Sequence, residues 1–190
     1  MATAAPVPTP PRTRFPARAA LRSATADAHA RVDAAFGDFD LTSHDGYRAF
    51  LLAQAAAFLP AEAALATAEA AQVIEDWPAR RRAALLREDL AVLGAQPSSL
   101  PDPVFATAAQ ICGAMYVLEG SRMGAAMLVR SVSADLPTRF LSAPQPPGAW
   151  RALLESLDEQ LADPSAFSQA LAAAHTVFDL FERAAEATRG

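Results

Sequence analysis

Hydrophobic positions recur at helical intervals through most of the chain. Near its beginning, Leu21, Thr25, Ala28, Val32 and Phe36 follow one another at intervals of four, three, four and four residues. This spacing places them on one face of an amphipathic helix. It predicts a first helix over residues 17–36, ended by the glycine that follows.

The same spacing, bounded by capping residues and prolines, predicts six further helical segments. Thr42 or Ser43 caps the second helix, and Pro78 opens the fourth. The predicted segments are 42–60, 61–73, 79–93, 104–132, 149–161 and 164–188. Proline-rich loops over 96–103 and 137–148 separate the later ones. No strand pattern and no internal repeat is found, so the sequence predicts an all-α, single-domain helical bundle over residues 17–190.

Composition supports the all-α class and argues against several kinds of partner and location. The chain is 52% hydrophobic, with a net charge of -5, which argues against a nucleic-acid or anionic membrane partner. The longest apolar run is broken by Glu119 and Arg122, so we expect no membrane span. Residues 1–16 hold five prolines and no continuous apolar stretch, which predicts a disordered tail rather than a secretory signal.

The cysteine and these signals together predict a cytoplasmic protein. Cys112 is the single cysteine of the chain, so no internal disulfide can form, and a reducing compartment is expected. Because Cys112 lies inside the apolar run, we interpret it as a small core residue rather than a nucleophile.

The segment over 104–132 contains three glycines that need an explanation. Gly113, Gly120 and Gly124 fall within a narrow arc of one helix face. Each glycine inside a helix costs about 1 kcal/mol relative to alanine. Something must therefore approach the backbone closely on this face. Either a neighbouring helix packs there at short distance, or a flat ligand lies on the bare backbone.

Three histidines are the other candidates for chemistry. No Glu-x-x-His pair, zinc-ligand spacing, P-loop or dinucleotide fingerprint accompanies them. His44 lies beside a helix cap and is interpreted as solvated, and His175 as a structural residue of an apolar stripe. His29 differs, because Asp33 one turn later could bind one ring nitrogen and leave the other free to ligate. Arg22 precedes His29 by seven residues, at nearly the same helical angle.

Two of these segments resemble one known family. The stretch from Leu21 to Asp33 resembles the proximal helix of the heme oxygenases, with its basic residue, Ala-Thr pair, histidine and following acid. The stretch from Tyr116 to Leu128 resembles their distal helix, especially in the bacterial branch associated with bacteriophytochromes. A looser similarity over 47–51 and 87–94 keeps the same order, so the resemblance extends from about residue 17 to the C-terminus.

The resemblance implies a role for each candidate residue. His29 would bind the heme iron as a neutral imidazole, and Arg22 would meet a propionate. Gly120 and Gly124 would let the distal backbone approach bound O2. Ser121 stands where the mammalian-type enzymes have an aspartate that organises a water. The family often has a glycine pair where this chain has Gly124 followed by alanine.

The resemblance also implies a reaction and its partners. Heme is both substrate and cofactor, and electrons from a reductase or ferredoxin, with O2, open the ring to give biliverdin, CO and iron. A bacteriophytochrome is the implied acceptor of biliverdin. The alternative is a heme oxygenase-like protein that binds heme, a bilin or another ligand without turnover. Thiamin-related enzymes share the architecture, but no residue here supports their chemistry. Arg130 or Arg183 could meet the second propionate, and the sequence does not choose between them.

Overall fold

The helices of this chain form one bundle around a core rich in alanine, leucine and phenylalanine. The computed structural model describes residues 17–66 and 68–189, so the prediction for residues 1–16 lies outside it. The described part holds nine α-helices, a short 3-10 helix and no strand, which confirms the predicted all-α class. The α-helices are α1 (Ala17–Ala24), α2 (Ala26–Gly37), α3 (His44–Leu65), α4 (Ala68–Val73), α5 (Trp77–Arg80), α6 (Ala83–Val92), α7 (Ala108–Leu128), α8 (Ala149–Gln160) and α9 (Pro164–Arg189).

The predicted first helix is divided into two. Thr25 separates α1 from α2 and has backbone angles of φ -105° and ψ 4°. Its hydroxyl donates to the carbonyl of Leu21 at 2.8 Å, a side-chain bond that often bends helices. The prediction of one continuous helix was wrong. The amide of Thr25 donates to the carbonyl of Leu21, and the amide of His29 donates to the carbonyl of Thr25, both at 2.9 Å. Helical hydrogen bonds therefore continue across the break between α1 and α2.

The second predicted helix does not stop at Pro60, and this prediction was also wrong. Ser43 caps α3 by accepting a hydrogen bond from the amide of Gly46, and the helix continues from His44 through Pro60 to Leu65. Proline has no N–H, so the carbonyl of Ala56 loses its partner within the helix. The amide of Leu100 donates to that carbonyl at 2.9 Å, which satisfies it from outside. The predicted third segment therefore splits between the end of α3 and α4.

The predicted helix over 79–93 is divided into two helices, α5 and α6. The short α5 ends before Arg81, and α6 begins after Arg82. The backbone amides of Arg82 and Ala83 donate to the carboxylate of Glu62, at 2.6 and 3.0 Å. Glu62 is buried, and its negative charge lies at the positive end of α6. A carboxylate from α3 thus fixes the start of α6, which no local pattern could predict.

The glycine-bearing helix α7 is shorter than the predicted segment. Thr107 caps it in a reciprocal pair of bonds with Gln110, and a 3-10 turn over Val129–Ser131 follows it. Packing centres on α9, which lies against α7, α3 and α2.

Within the described residues, α3 is the one helix that is long and apolar enough to cross a membrane. Its most apolar stretch of 18 residues has a mean hydropathy of 1.2, and 67% of that stretch is buried inside the bundle. A core helix meets the same criteria of length and composition. The prediction of no membrane span stays a prediction.

Candidate functional site

One large cavity brings most of the predicted site residues together. Its volume is about 890 Å³, within the range of ligand-binding clefts, roughly 300–1,000 Å³. Residues of α1, α2, α3, α7, α8, α9 and the loop after the 3-10 helix line it. Arg22, His29, Gly120, Ser121 and Gly124 all belong to this lining, so the two resembling segments face one space.

His29 is held by its neighbour on α2. Its Nδ1 lies 2.8 Å from a carboxylate oxygen of Asp33, and the imidazole side chain is 64% exposed. The Phe178 ring on α9 meets the imidazole edge-on, with centroids 5.9 Å apart. When the Nδ1–H of the neutral ring donates a hydrogen bond to this carboxylate, Nε2 keeps its lone pair. The two contacts fix the ring orientation, as a metal ligand requires.

The three glycines of α7 serve two different purposes. A methyl built on Gly113 would lie 2.9 Å from the Cα of Ala170 and closer still to its carbonyl oxygen. Gly113 therefore lets α7 and α9 pack at short distance. A methyl on Gly124 would meet nothing within 4 Å, and one on Gly120 would meet only the Trp150 ring at 3.9 Å. The helix-packing interpretation thus holds for Gly113, and bare backbone borders the cavity at Gly120 and Gly124.

Basic residues of α1 mark one part of the cavity wall. Arg18 and Arg22 both line the cavity and are exposed. Tyr116 of α7 belongs to the same wall. Burial raises the pKa of the Tyr116 hydroxyl, while a hydrogen bond to Thr25 and the positive charges of the two arginines act in the opposite direction.

Aromatic residues form the deeper wall of the cavity. Phe36 lies edge-on to Phe50 and to Phe181, with ring centroids 5.7 and 6.2 Å apart. Phe178 also lines the cavity. An apolar wall of this size suits a large flat hydrophobic ligand.

Ser121 is engaged by its surroundings in a way the sequence did not indicate. Its hydroxyl donates to the carbonyl of Leu118 at 2.7 Å and accepts from Nη2 of Arg82 at 2.9 Å. The same Nη2 donates to Leu118 at 2.8 Å. A hydroxyl has one hydrogen, and that hydrogen points to Leu118. Ser121 can therefore accept a bond from a ligand or water but cannot donate one in this arrangement.

Arg82 is a cavity-lining residue that sequence reasoning missed. Its guanidinium carbon lies 4.8 Å from the Phe58 ring centroid and 5.0 Å from that of Phe140. Burial lowers the pKa of Arg82 below its ordinary value, and the charge of Arg122 adds to this effect. Because Arg82 occupies the break between α5 and α6, no helical periodicity could have predicted its position.

A buried ionic group lies behind Arg82. Glu119 accepts from Nε of Arg122 at 3.0 Å and from Nη1 of Arg80 at 3.5 Å. Arg122 donates to the carbonyl of Arg80. Arg80 also bonds Asp76 at 2.6 Å and the carbonyl of Ala149 at 3.0 Å. These bonds join α5, α7 and α8, so the charges that interrupt the apolar run of α7 are internal.

The loop that carries Phe140 is held by a buried carboxylate. Asp89 on α6 is fully buried and accepts from the amides of Arg139 at 3.2 Å and Phe140 at 2.8 Å. Burial raises the pKa of Asp89, and the two amide bonds oppose that shift. Tyr47 donates to the carbonyl of Pro137 at 2.7 Å. These bonds position the Phe140 side of the cavity.

The remaining candidates are not part of the described cavity lining. Arg183 lines a separate surface cleft with Asp179 and Glu182. Arg130 and His175 do not belong to the described lining of the cavity. His44 is exposed beside Asp45, as predicted.

The last two observations concern Cys112 and possible clusters of metal ligands. Cys112 is buried and its pKa is raised by burial to about 11, which confirms a core residue. Within residues 17–66 and 68–189, no cluster of three or more histidine, cysteine or acidic residues could hold a metal ion.

Comparison with known proteins agrees with this arrangement. No family model matches the chain. A curated protein of Xanthomonas campestris pv. campestris, named heme oxygenase, is 36% identical over 113 residues, which are 55% of this chain and 67% of the relative. The NO- and CO-bound heme oxygenase from Neisseria meningitidis has the same fold, with a TM-score of 0.79, 24% identity and 92% of each chain covered. On the strength of the Xanthomonas relative, the chain belongs to the heme oxygenase family.

Proposed function

We propose that this protein is a heme oxygenase that converts heme, O2 and electrons to biliverdin, CO and iron. One observation carries the proposal. A histidine with a free Nε2, bare glycine backbone and cationic residues all face a single apolar cavity. These are the features that a flat iron macrocycle with two carboxylates needs, so the residues present fit the group. When bound, heme supplies both the redox-active iron and the ring that is opened.

His29 is proposed as the iron ligand. Asp33 would keep the proton on Nδ1 and so present Nε2 as a neutral donor. Phe178 would limit rotation of the ring. Among the described histidines, neither of the other two lines this cavity.

Gly120 and Gly124 are proposed to admit the reactants at the distal side. Because no side chain stands on either residue, their backbone leaves room that a methyl would occupy. Ser121 would accept a hydrogen bond from a water, while Arg82 holds the serine hydroxyl in place. The phenylalanine wall would keep bulk water from the site. Proton delivery is therefore proposed to run through ordered water rather than through the Ser121 hydrogen itself.

The proposed reaction requires partners outside this chain. An electron-donating reductase or ferredoxin would supply electrons. A bacteriophytochrome is the proposed acceptor of biliverdin, and the cytoplasm is the proposed location. The single cysteine supports a reducing compartment. The net charge of -5 argues against nucleic acid as a partner.

A protein that binds heme without turnover is the second candidate. The observation that favours it is the commitment of the Ser121 hydrogen to Leu118, which removes a proton donor from the distal side. Ala125, which follows Gly124, is buried and lines the cavity. Its methyl group leaves less space there than the second glycine of a glycine pair would.

Hemin titration followed by reduction in air tests the proposal. Purified protein is titrated with hemin while the Soret band is recorded, and a reductant is then added. A shifted band that later gives way to a bilin spectrum, together with released CO, is the expected result. A shift with no bilin identifies the binding protein. No shift would remove both candidates.

A further inference from the structure

The methionines of α7 range from fully buried to largely exposed. Met115 is fully buried, Met123 is 56% exposed and Met127 is 73% exposed. Within the described part of the chain, Val92 and Val104 are the other large hydrophobic residues that are at least as exposed as Met123. Met123 and Met127 are four residues apart, so their side chains lie on the same face of the helix. Two thioether sulfurs are therefore presented one turn apart.

One of these two exposed methionines lines the cavity. Met123 belongs to the cavity lining, whereas Met127, the more exposed of the two, does not. Gly124 follows Met123 in the chain, and a methyl built on it would meet no atom within 4 Å. The Met123 side chain thus borders both the cavity and the surrounding water.

The other sulfur atoms of the described chain are not available to the cavity. Cys112 and Met115 are both buried, and neither belongs to the cavity lining. Met127 is exposed but lies outside that lining. Among the described residues, Met123 is therefore the sulfur-bearing side chain that the cavity reaches.

Burial does not require a methionine at position 123. A side chain that is more than half exposed gains little from removal of apolar surface from water. Leucine has a similar volume and a similar helix propensity. Methionine differs from leucine in its polarizable thioether, which oxidants convert to a sulfoxide. The reactivity of the sulfur is the property that distinguishes this residue.

We infer that Met123 is an oxidation site, at which hydrogen peroxide formed in the cavity converts the thioether to a sulfoxide. This inference rests on the proposed function, which brings O2 and electrons into the same space. When reduction of O2 stops after two electrons and two protons, hydrogen peroxide is formed. Its O–O bond breaks as the sulfur donates an electron pair to one oxygen, and the other oxygen takes both protons and leaves as water.

The sulfoxide would change the wall that a ligand meets. Oxidation makes a flexible apolar side chain polar, beside the open backbone of Gly124. Because a ligand would have to remove water from that polar group, the oxidised protein is expected to bind hemin about three- to tenfold more weakly. Methionine sulfoxide reductases reverse the oxidation, so the lost affinity can be restored.

Isotope-labelled oxygen tests the source of the oxidant. Hemin-loaded protein is reduced with ascorbate under ¹⁸O2, with catalase in solution to remove peroxide that leaves the cavity. Trypsin then releases residues 123–130 as one peptide, because arginines precede and end this segment. Fragmentation of that peptide in a mass spectrometer compares Met123 directly with Met127. Labelled sulfoxide is expected at Met123 in about fivefold or greater excess over Met127.

Added peroxide gives the reference order of reactivity. In heme-free protein treated with dilute hydrogen peroxide, the oxidant comes from bulk solution. Met127 is then expected to oxidise at least as fast as Met123, since it is the more exposed residue. The buried Met115 is expected to stay unmodified in both experiments.

Two matched variants test the effect of the sulfoxide on binding. Met123→Leu and Met127→Leu keep the side-chain volume and remove the sulfur. Each protein is titrated with hemin before and after peroxide treatment and is compared with its own untreated form. Hemin affinity is expected to fall on treatment in the parent and in Met127→Leu, but not in Met123→Leu.

Several results would overturn the assignment. Equal labelling of Met123 and Met127 under ¹⁸O2 would do so, as would a Met123 excess that heme-free protein already shows with added peroxide. An affinity loss that persists in Met123→Leu would refute the effect on the cavity wall. Labelled Met123 sulfoxide without bilin would support the oxidation site and refute turnover, whereas an unshifted Soret band would refute heme binding and the proposed function itself. The two failures are therefore distinguishable.

Discussion

Replacing each α7 glycine with alanine separates the two purposes assigned to them. Gly120 and Gly124 lie in a helix interior with space beside them. Alanine there should stabilise the apoprotein by up to about 1 kcal/mol, from helix propensity and the unfolded chain. For a domain of this size, that corresponds to a rise of about 2–4 °C in melting temperature.

Gly113 is the matched control on the same helix face. An added methyl would enter the backbone of Ala170, and backbone cannot move aside as a flexible side chain can. Gly113→Ala should cost about 1–3 kcal/mol or more, because α7 and α9 must separate. The same substitution is thus expected to change stability in opposite directions at positions 113 and 124.

Thermal unfolding of the apoproteins, followed by hemin titration and turnover, measures both effects. Gly120→Ala and Gly124→Ala should melt at or above the parent temperature, bind hemin with an altered Soret band, and form bilin slowly or as a different isomer. Lower melting temperatures with normal bilin output in both variants would refute the assignment of this backbone to the ligand.

Three further substitutions test other parts of the site. His29→Ala should leave the melting temperature nearly unchanged, since the side chain is largely exposed, but should abolish the six-coordinate low-spin ferric spectrum; an unchanged spectrum would point to another ligand. Ser121→Ala should lower stability by about 1 kcal/mol through the lost bond to Arg82, and a hemin affinity that falls more than tenfold would contradict an engaged hydroxyl. Asp89→Asn should cost about 1–3 kcal/mol in thermal unfolding, because an amide group would face one of two backbone N–H donors; a melting temperature equal to that of the parent would show that the carboxylate does not hold the loop.

The sequence predicted the elements whose causes are local. Helical spacing and capping residues marked α7, α8 and α9 to within a few residues, because each buries a stripe of apolar side chains. The errors came where a distant group satisfies the backbone. Pro60 does not end α3, since Leu100 bonds the freed carbonyl, and Glu62 starts α6 from another helix. Spacing along the chain contains no record of such partners.

The candidate site divides along the same line. His29, Gly120 and Gly124 could be selected because each breaks a local expectation, and all three line the cavity. Their chemical roles stay predictions. Arg82 could not be selected, since its place depends on a helix break and on two aromatic rings. Arg18 repeats the position of Arg22 one turn earlier, a signal that was present in the sequence and overlooked.

Gly113 of α7 packs directly against the backbone of Ala170 on α9, whereas a methyl built on Gly124, eleven residues later, would meet no atom within 4 Å. One side of α7 is open near Gly124, and Met127 there is 73% exposed. Local opening is cheapest where buried contacts are few, so amide hydrogens should exchange faster near Gly124 than near Gly113. A ligand that fills the cavity beside Gly124 would add packing contacts there and stabilise the folded protein. A ligand in the cavity would act as a removable part of the hydrophobic core, so the ligand-free and loaded proteins would differ in stability.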